Sequence, residues 1–321
     1  MKLNTKVLLT QPIHEKGMEL LESAVEKVIV APDSRIETIS SLLDEEVTGV
    51  IVRYNVFNRE LMDKAPNLKV IARHGIGVEL IDLEAATERG IKVVNTPDAA
   101  TVSVAEHVVM MILALTKKII FANKELKKGN YAVKDAYMPD DVEGKTLGLV
   151  GFGKIGREVA KRCIGLGMKV IAYDPYTSQE VFDNMGVTKV DVMETLIAQS
   201  DFVSLHTPLT PQTRHLIGEK QLKMMKKSAY LINCARGAVV DEAALIDCLQ
   251  KKVIAGAGLD VFEKEPPDAD NPLFSMDNVI VTPHSSSLTV NGKIKMAVGA
   301  VEQLLKVLRG ETPDYLVNKI K

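Results

Sequence analysis

Val150-Gly151-Phe152-Gly153-Lys154-Ile155-Gly156 is the stretch from which the rest of the chain is read. It follows an apolar run, Thr146-Leu147-Gly148-Leu149-Val150, that reads as a buried parallel strand. It opens into Arg157-Glu158-Val159-Ala160-Lys161-Arg162, which reads as a helix. Strand, glycine turn and helix in that order make a dinucleotide fingerprint. Gly151 allows the tight turn, Gly153 lets the backbone approach a pyrophosphate, and Gly156 lets helix and strand pack closely. At the helix start, the backbone of Lys154 and Ile155 offers N–H groups and a partial positive charge to phosphates. A second strand, Lys169-Val170-Ile171-Ala172-Tyr173, ends in Asp174. That acid lies roughly 20 residues past the glycines, where a carboxylate accepts hydrogen bonds from the adenine ribose hydroxyls. A 2′-phosphate there would meet a negative charge, so NAD (as NADH in the reducing direction) is expected over NADP. The plainer reading is a tight turn in a nucleotide-free α/β domain; two strands and Asp174 in register weigh against it.

Residues 1–98 alternate short β-branched runs with amphipathic helices. The strands are Val7-Leu8-Leu9, Val28-Ile29-Val30, Gly49-Val50-Ile51-Val52, Val70-Ile71-Ala72 and Lys92-Val93-Val94, and Gly90 is placed as a helix stop. Five strands with helices between them predict a small doubly wound parallel sheet of flavodoxin-like type. It lacks a dinucleotide fingerprint, so its strand-end loops, Arg53-Tyr54-Asn55 and Arg73-His74-Gly75-Ile76-Gly77-Val78, are where a ligand would bind. A long apolar helix is expected from about Val102 to Lys118, with Ser103 and Glu106 spaced as a capping box. Residues 122–145 are polar and Lys-rich and read as an irregular arm. Strands resume at Asp201–Leu205, Ala229–Asn233, Ala255–Leu259 and Val279–Val281, and a final helix runs from Ile294 to Leu308. Its amphipathic pattern, and Asp314-Tyr315-Leu316-Val317-Asn318 after it, predict a return to the first lobe. The expected domains are therefore 1–98 with 288–321 for substrate and 99–287 as a Rossmann domain for NAD. Both are α/β, and the active-site cleft is expected between them.

Composition narrows the classes. A formal net charge of −2 leaves no basic footprint for nucleic acid. No apolar run is long enough to span a bilayer, and Met1–Lys6 leads into a strand without a cleavable signal pattern. Cys163, Cys234 and Cys248 lack metal-ligand spacing, so no metal is expected and reduced thiols in a cytoplasmic protein are the reading.

Three strand-end segments of the second lobe carry reactive groups: Arg236 in Asn233-Cys234-Ala235-Arg236-Gly237, Glu265 in Asp260–Pro266, and His284 in Thr282-Pro283-His284. In doubly wound sheets ligands bind beyond the carboxyl ends of the strands, so these groups can converge on the reactive end of a cofactor. Hydride transfer to a keto acid needs a cation that holds the carboxylate and polarises the carbonyl, which suits a planar guanidinium. It needs a proton donor that works near neutral pH, for which histidine is the natural choice. A carboxylate beside an imidazole favours its charged form and orients the ring. Taken singly, Arg236 reads more readily as a helix cap, Glu265 as a solvated loop acid and His284 as a core histidine.

Taken together, Gly151–Gly156, Asp174, His206-Thr207-Pro208-Leu209-Thr210, Asn233–Gly237, Asp260–Pro266 and Thr282–His284 resemble the D-isomer-specific 2-hydroxyacid dehydrogenases. The likeness extends over nearly the whole chain, including Asn67 to Pro97. It implies Arg236 as substrate anchor, His284 as acid/base and Glu265 as its partner. It implies that Asp260 contacts the nicotinamide amide, with His206, Thr207, Pro208, Cys234, Ala235 and Ser286 also lining the cofactor. Backbone amides of Gly75, Ile76, Gly77 and Val78 are implied to receive a carboxylate, with Arg53 and His74 beside the substrate. The family is usually dimeric through its nucleotide lobe, so a homodimer is implied.

Within that family the chain looks most like the catalytic part of phosphoglycerate dehydrogenases, sharing Gly144-Lys145-Thr146-Leu147, Gly156-Arg157-Glu158-Val159-Ala160, Arg53 and Arg73. It departs at Asp98, a poor neighbour for a phosphate, at His74, and at Ser285-Ser286-Ser287, where Ile-Gly-Gly is commoner. The chain stops where longer members carry a regulatory domain, so feedback by serine through such a domain is not expected. The leading expectation is an NAD-dependent oxidoreductase acting on a small D-2-hydroxy or 2-keto acid. A D-3-phosphoglycerate dehydrogenase, a glyoxylate/hydroxypyruvate reductase and an NAD-sensing corepressor-like binding protein are the alternatives. A formate dehydrogenase needs no Glu–His pair, and Glu265 argues against it.

Overall fold

The computed structural model describes residues 2–319. The chain forms two compact units, residues 1–100 with 287–321, and residues 101–286.

The first unit is built on five parallel strands: β1 (Leu3–Leu9), β2 (Val25–Val30), β3 (Val47–Val52), β4 (Val70–Arg73) and β5 (Lys92–Val94). Their order, β2-β1-β3-β4-β5, is the flavodoxin-like winding. Val7, Leu8, Leu9, Val50, Ile51, Val70, Ile71 and Val93 have no exposed surface, so the strands read as continuous apolar runs rather than alternating ones. One face is covered by Ile39, Leu61, Ala85 and Ala86, the other by Leu21 and by Ala300, Val301 and Leu304 of the helix Val290–Leu308. That helix starts four residues before the expected Ile294, because the Thr289 side chain accepts from the Gly292 amide at 3.0 Å and caps it. Beyond it the chain is tied down by Asn318, which accepts from the Val93 amide at 2.8 Å and donates to the Ile91 carbonyl at 2.9 Å.

The second unit holds seven parallel strands: β6 (Thr146–Val150), β7 (Lys169–Tyr173), β8 (Thr188–Lys189), β9 (Phe202–Leu205), β10 (Tyr230–Asn233), β11 (Gly256–Leu259) and β12 (Val279–Val281). Their order, β12-β11-β10-β9-β6-β7-β8, reverses direction at β6 and β9, the Rossmann switch point. The edge strand β8 is absent from the sequence reading because two residues carry no periodicity.

Two further expectations are corrected. The helix begins at Thr101, so Ser103 is a buried residue inside it and not its N-cap. Glu106 instead faces Arg162, 3.7 Å away. The supposed irregular arm begins as a helix, Ile119–Lys127, and contains a short turn of helix at Val133–Ala136. Its lysines and apolar residues alternate too irregularly to show a buried face, and the first helix indeed buries none of its residues.

Candidate active site

The glycine turn lies at the carboxyl end of β6, beside β9. Gly151 has φ +98°, and a Cβ there would stand 2.7 Å from the His206 carbonyl oxygen. A side chain at that position is excluded twice, by backbone strain and by contact. Gly156 is closed to a Cβ by the Gly151 carbonyl oxygen at 2.6 Å, so helix and strand touch there. A Cβ at Gly153 would meet nothing within 4 Å, which leaves open space in front of the turn. Gly153 caps the helix Lys154–Gly165 without a side-chain hydrogen bond, and a helix start of this kind suits an anion. Asp174 accepts from the Phe152 amide through Oδ2 at 2.8 Å, and through Oδ1 from Tyr176 and Thr177 at 2.8 and 3.1 Å. Its two oxygens offer about four lone-pair sites, so three bonds still leave room for a ribose hydroxyl.

Thr207 is next to this turn, and its Oγ1 is buried without a hydrogen-bond partner. Such an orphan is costly unless a ligand satisfies it. His206 bonds the Ser204 hydroxyl through Nε2 at 2.9 Å, and burial pushes its imidazole down to about 4, so it is neutral. The Pro208 carbonyl accepts from the Thr213 hydroxyl. An open glycine turn at a helix start and an unsatisfied hydroxyl fit a dinucleotide.

Arg236 follows β10. Asn233, buried at the strand end, accepts from the Ala235 amide at 3.0 Å and donates to the Arg236 carbonyl at 2.9 Å, clamping the loop from inside. Sequence reasoning gave Asn233 no role; only its place at a strand end hinted at one. Arg236 Nη1 donates to the Ala235 carbonyl at 2.7 Å. The next residue, Gly237, lies so near the following loop that a Cβ would fall 1.8 Å from the Phe262 carbonyl oxygen. The Arg236 loop and the Glu265 loop are therefore in backbone contact. Cys234 is buried, and burial pushes its thiol well above the usual range, so it is no thiolate.

His284 and Glu265 are brought together. His284 Nδ1 lies 2.7 Å from Glu265 Oε2, and Glu265 Oε1 accepts from the Phe262 amide at 3.1 Å. Burial raises the Glu265 pKa, but the His284 bond, the Phe262 amide and the charges of His284 and Arg236 outweigh it and hold the carboxyl below its ordinary value. His284 has φ +48°, a left-handed conformation uncommon outside glycine.

Asp260, expected to contact a nicotinamide amide, also has a task inside the protein. Its side chain is 0% exposed, and its oxygens accept from Thr282 Oγ1 at 2.5 Å and from the amides of Ser285 and Ser286 at 2.9 Å each. Ser286 is itself buried, with its amide spent on Asp260, and is likewise part of the frame.

In the first unit, the loop after β4 also departs from expectation at one residue. The Gly75 amide donates to Thr96 Oγ1 at 3.1 Å and to the Arg73 carbonyl at 3.0 Å, so it is not open to a ligand. Among the described residues, the amides of Ile76, Gly77 and Val78 meet no protein acceptor. Arg73 donates to the carbonyls of Gly77 (2.7 Å) and His74, and Arg53 to that of Pro12. Arg53 Nε, Asn55 Oδ1 and His74 Nε2 are buried without partners. Burial, with the charges of Arg53 and Arg73, pushes His74 down to about 3, so its ring is neutral. Among the described residues no cluster of His, Cys, Asp and Glu is arranged for a metal, and no helix is long and apolar enough to cross a membrane.

The chain is similar to known proteins. Residues 109–286 match the sequence model of the D-isomer specific 2-hydroxyacid dehydrogenase NAD binding domain. The D-3-phosphoglycerate dehydrogenase of Methanocaldococcus jannaschii is 44% identical over 98% of this chain, which spans 59% of that protein's length. The glyoxylate reductase of Thermofilum pendens is 41% identical over 98% of this chain and 94% of its own. The crystal structure of an NADPH-dependent glyoxylate/hydroxypyruvate reductase from Sinorhizobium meliloti, in complex with NADP and malonate, superposes with a TM-score of 0.86 at 28% identity, covering 98% of this chain and 97% of that one.

Proposed function

Since this chain belongs to the D-isomer specific 2-hydroxyacid dehydrogenase family, we propose that it is an oxidoreductase interconverting a small D-2-hydroxy acid and its 2-keto acid with a nicotinamide cofactor. The observation that carries the reading is the His284–Glu265 contact at 2.7 Å, one loop from Arg236 and on the same sheet as the glycine turn. A nicotinamide held at the glycine turn would supply the hydride chemistry. Arg236 holds the substrate carboxylate and polarises the carbonyl through its planar fork. His284 has Nδ1 committed to Glu265, so Nε2 is the nitrogen that gives a proton to the nascent alkoxide or takes one from the hydroxyl. Glu265, held below its ordinary value, orients the ring. The free amides of Ile76, Gly77 and Val78 suit a carboxylate, and the unsatisfied edges of Arg53 and His74 suit the polar end of a small acid. Lys154, Ile155 and Asp174 hold the nucleotide, with NAD preferred over NADP because Asp174 carries charge where a 2′-phosphate would sit.

The protein acts as a homodimer in this reading. Ile119, Ile120, Phe121, Leu126, Tyr131 and Met138 are 44% to 78% exposed in one run of the second unit, a surface suited to a second copy. Three buried free cysteines support a reducing, cytoplasmic setting. The test is NADH and NADPH oxidation with glyoxylate, hydroxypyruvate, pyruvate, longer 2-keto acids and 3-phosphohydroxypyruvate. Turnover with one or more of them is expected; none with any would end the proposal. A second reading, D-3-phosphoglycerate dehydrogenase, is favoured by the 44% identical relative and is decided by the same panel.

A further inference from the structure

His284 is held in its left-handed conformation by neighbours that do not react. Its amide donates to the backbone carbonyls of Asp260 at 2.8 Å and Thr282 at 3.0 Å. The next two amides, Ser285 and Ser286, each donate to one carboxylate oxygen of Asp260. Asp260 thus gathers three successive amides of the histidine loop. A fully buried carboxylate is costly unless it is well bonded, so its remaining donor matters. That donor is the Thr282 hydroxyl, 2.5 Å from Oδ1. An ionised carboxylate only accepts, so Thr282 gives its proton to Asp260 and has lone pairs left to accept. His107 Nε2 lies 3.0 Å from Thr282 Oγ1 and 3.8 Å from Asp260 Oδ1.

We propose that His107 and Thr282 are positioning residues: the hydrogen-bonded chain His107–Thr282–Asp260 fixes the loop 282–286 and so sets the pose of His284, a role that rests on the assignment of His284 as acid/base. The direction of the chain follows from its far end. Thr282 donates to Asp260, so His107 donates to Thr282 and carries its proton on Nε2. Burial lowers the His107 pKa against the opposing charge of Asp260, which suits a neutral donor ring. His107 stands on the helix Thr101–Thr116, which also sends Met111 against β11, where a Cβ at Gly258 would meet the sulfur at 2.8 Å. The donor is thereby mounted on the same sheet that presents Asp260. Neither His107 nor Thr282 is placed to touch substrate; both act through the loop.

Thr282→Val keeps the shape and removes the hydroxyl, Thr282→Ser restores it, His107→Leu removes the ring donor and His107→Gln offers an amide in its place. Two readouts are taken: hydrogen exchange of the Ser285 and Ser286 amides in the ligand-free protein, and kcat and keto-acid KM. Thr282→Val is expected to speed exchange about tenfold or more, the scale of a hydrogen bond to a charged group. Its kcat should fall by about 10-fold to 100-fold, as misplaced groups do, with KM moving less than about threefold. Thr282→Ser should recover both. His107→Leu should shift both in the same direction by less, and add nothing in the Thr282→Val background, because coupled residues are not additive. Unchanged exchange and kcat in Thr282→Val would overturn the proposal, as would independent, additive losses. Should Thr282→Val not fold, His107→Leu against His107→Gln decides: protection lost in the first and kept in the second supports it, and wild-type behaviour in both overturns it. If the wild type reduces no keto acid, the function fails, and the exchange results still decide whether the chain holds the loop.

Discussion

Glu265 grips His284 from one side only: Oε2 meets Nδ1 at 2.7 Å while Oε1 is anchored on the Phe262 amide at 3.1 Å. The carboxylate is thus fixed at both oxygens, and the imidazole is left with one nitrogen for chemistry. Glu265 is held below the ordinary carboxylate value of 4.5. A depressed carboxylate contributes stability above its unfolded pKa and loses it as pH falls through the folded one. The pair should therefore persist through neutral pH and break only in acid below 4.5. Reduction takes a proton from His284 and oxidation returns one. Glu265→Gln should lower kcat/KM in both directions by about tenfold or more, the scale of a charge-assisted hydrogen bond. His284→Ala should cost roughly 10²–10⁴-fold. Values of kcat/KM in both directions check this; unchanged turnover in Glu265→Gln sinks the pairing.

Arg236→Lys tests the anchor. The charge is kept, but the fork that meets a carboxylate through two N–H groups is lost. A drop in kcat/KM of about tenfold or more is expected, the scale of a charge-assisted hydrogen bond. Binding of NADH, followed by its fluorescence, should hardly change. Normal turnover would take Arg236 out of the site.

Asp174→Ala tests cofactor choice. Wild type should favour NADH over NADPH in kcat/KM, and the substitution should narrow the ratio by raising use of NADPH. The same change removes three backbone hydrogen bonds, so some loss with both cofactors is expected as well. Equal use of the two by wild type contradicts the argument from charge.

Substrate phosphate is the fourth test. Arg73 is spent on carbonyls of its own loop, and Asp98 accepts from the Tyr315 hydroxyl at 2.7 Å, adding negative charge to the same unit. We expect 3-phosphohydroxypyruvate to exceed hydroxypyruvate in kcat/KM by less than about tenfold, or 1.4 kcal/mol. A larger ratio would favour a phosphoglycerate dehydrogenase.

Much of this was legible in residues alone. Parallel strands buried on both faces leave continuous apolar runs, and each long run, from Val7 to Val281, became a strand. The glycine turn, Arg236, Glu265 and His284 were legible because each ends a strand, where side chains must emerge. What stayed hidden is which partner a polar group chooses. Asp260 carries the type of a ligand contact, yet it also accepts from Thr282, Ser285 and Ser286 and so holds its own loop. Gly75 looked like an open amide, yet Thr96, distant in sequence, takes it. Ser103 had capping spacing, but the helix had already begun at Thr101. Hydrogen-bond partners across long sequence separations leave no local pattern, and an element as short as β8 leaves none either.

The left-handed backbone of His284, φ +48°, has a consequence for anyone breeding this protein for heat resistance. Residues with a Cβ are uncomfortable there by about 1–3 kcal/mol, while glycine is at ease. Selection on melting temperature alone would therefore drift toward glycine at 284 and collect robust, inert proteins. Laboratory evolution of this scaffold has to screen each generation for turnover, because a left-handed backbone position and the proposed proton donor are the same residue.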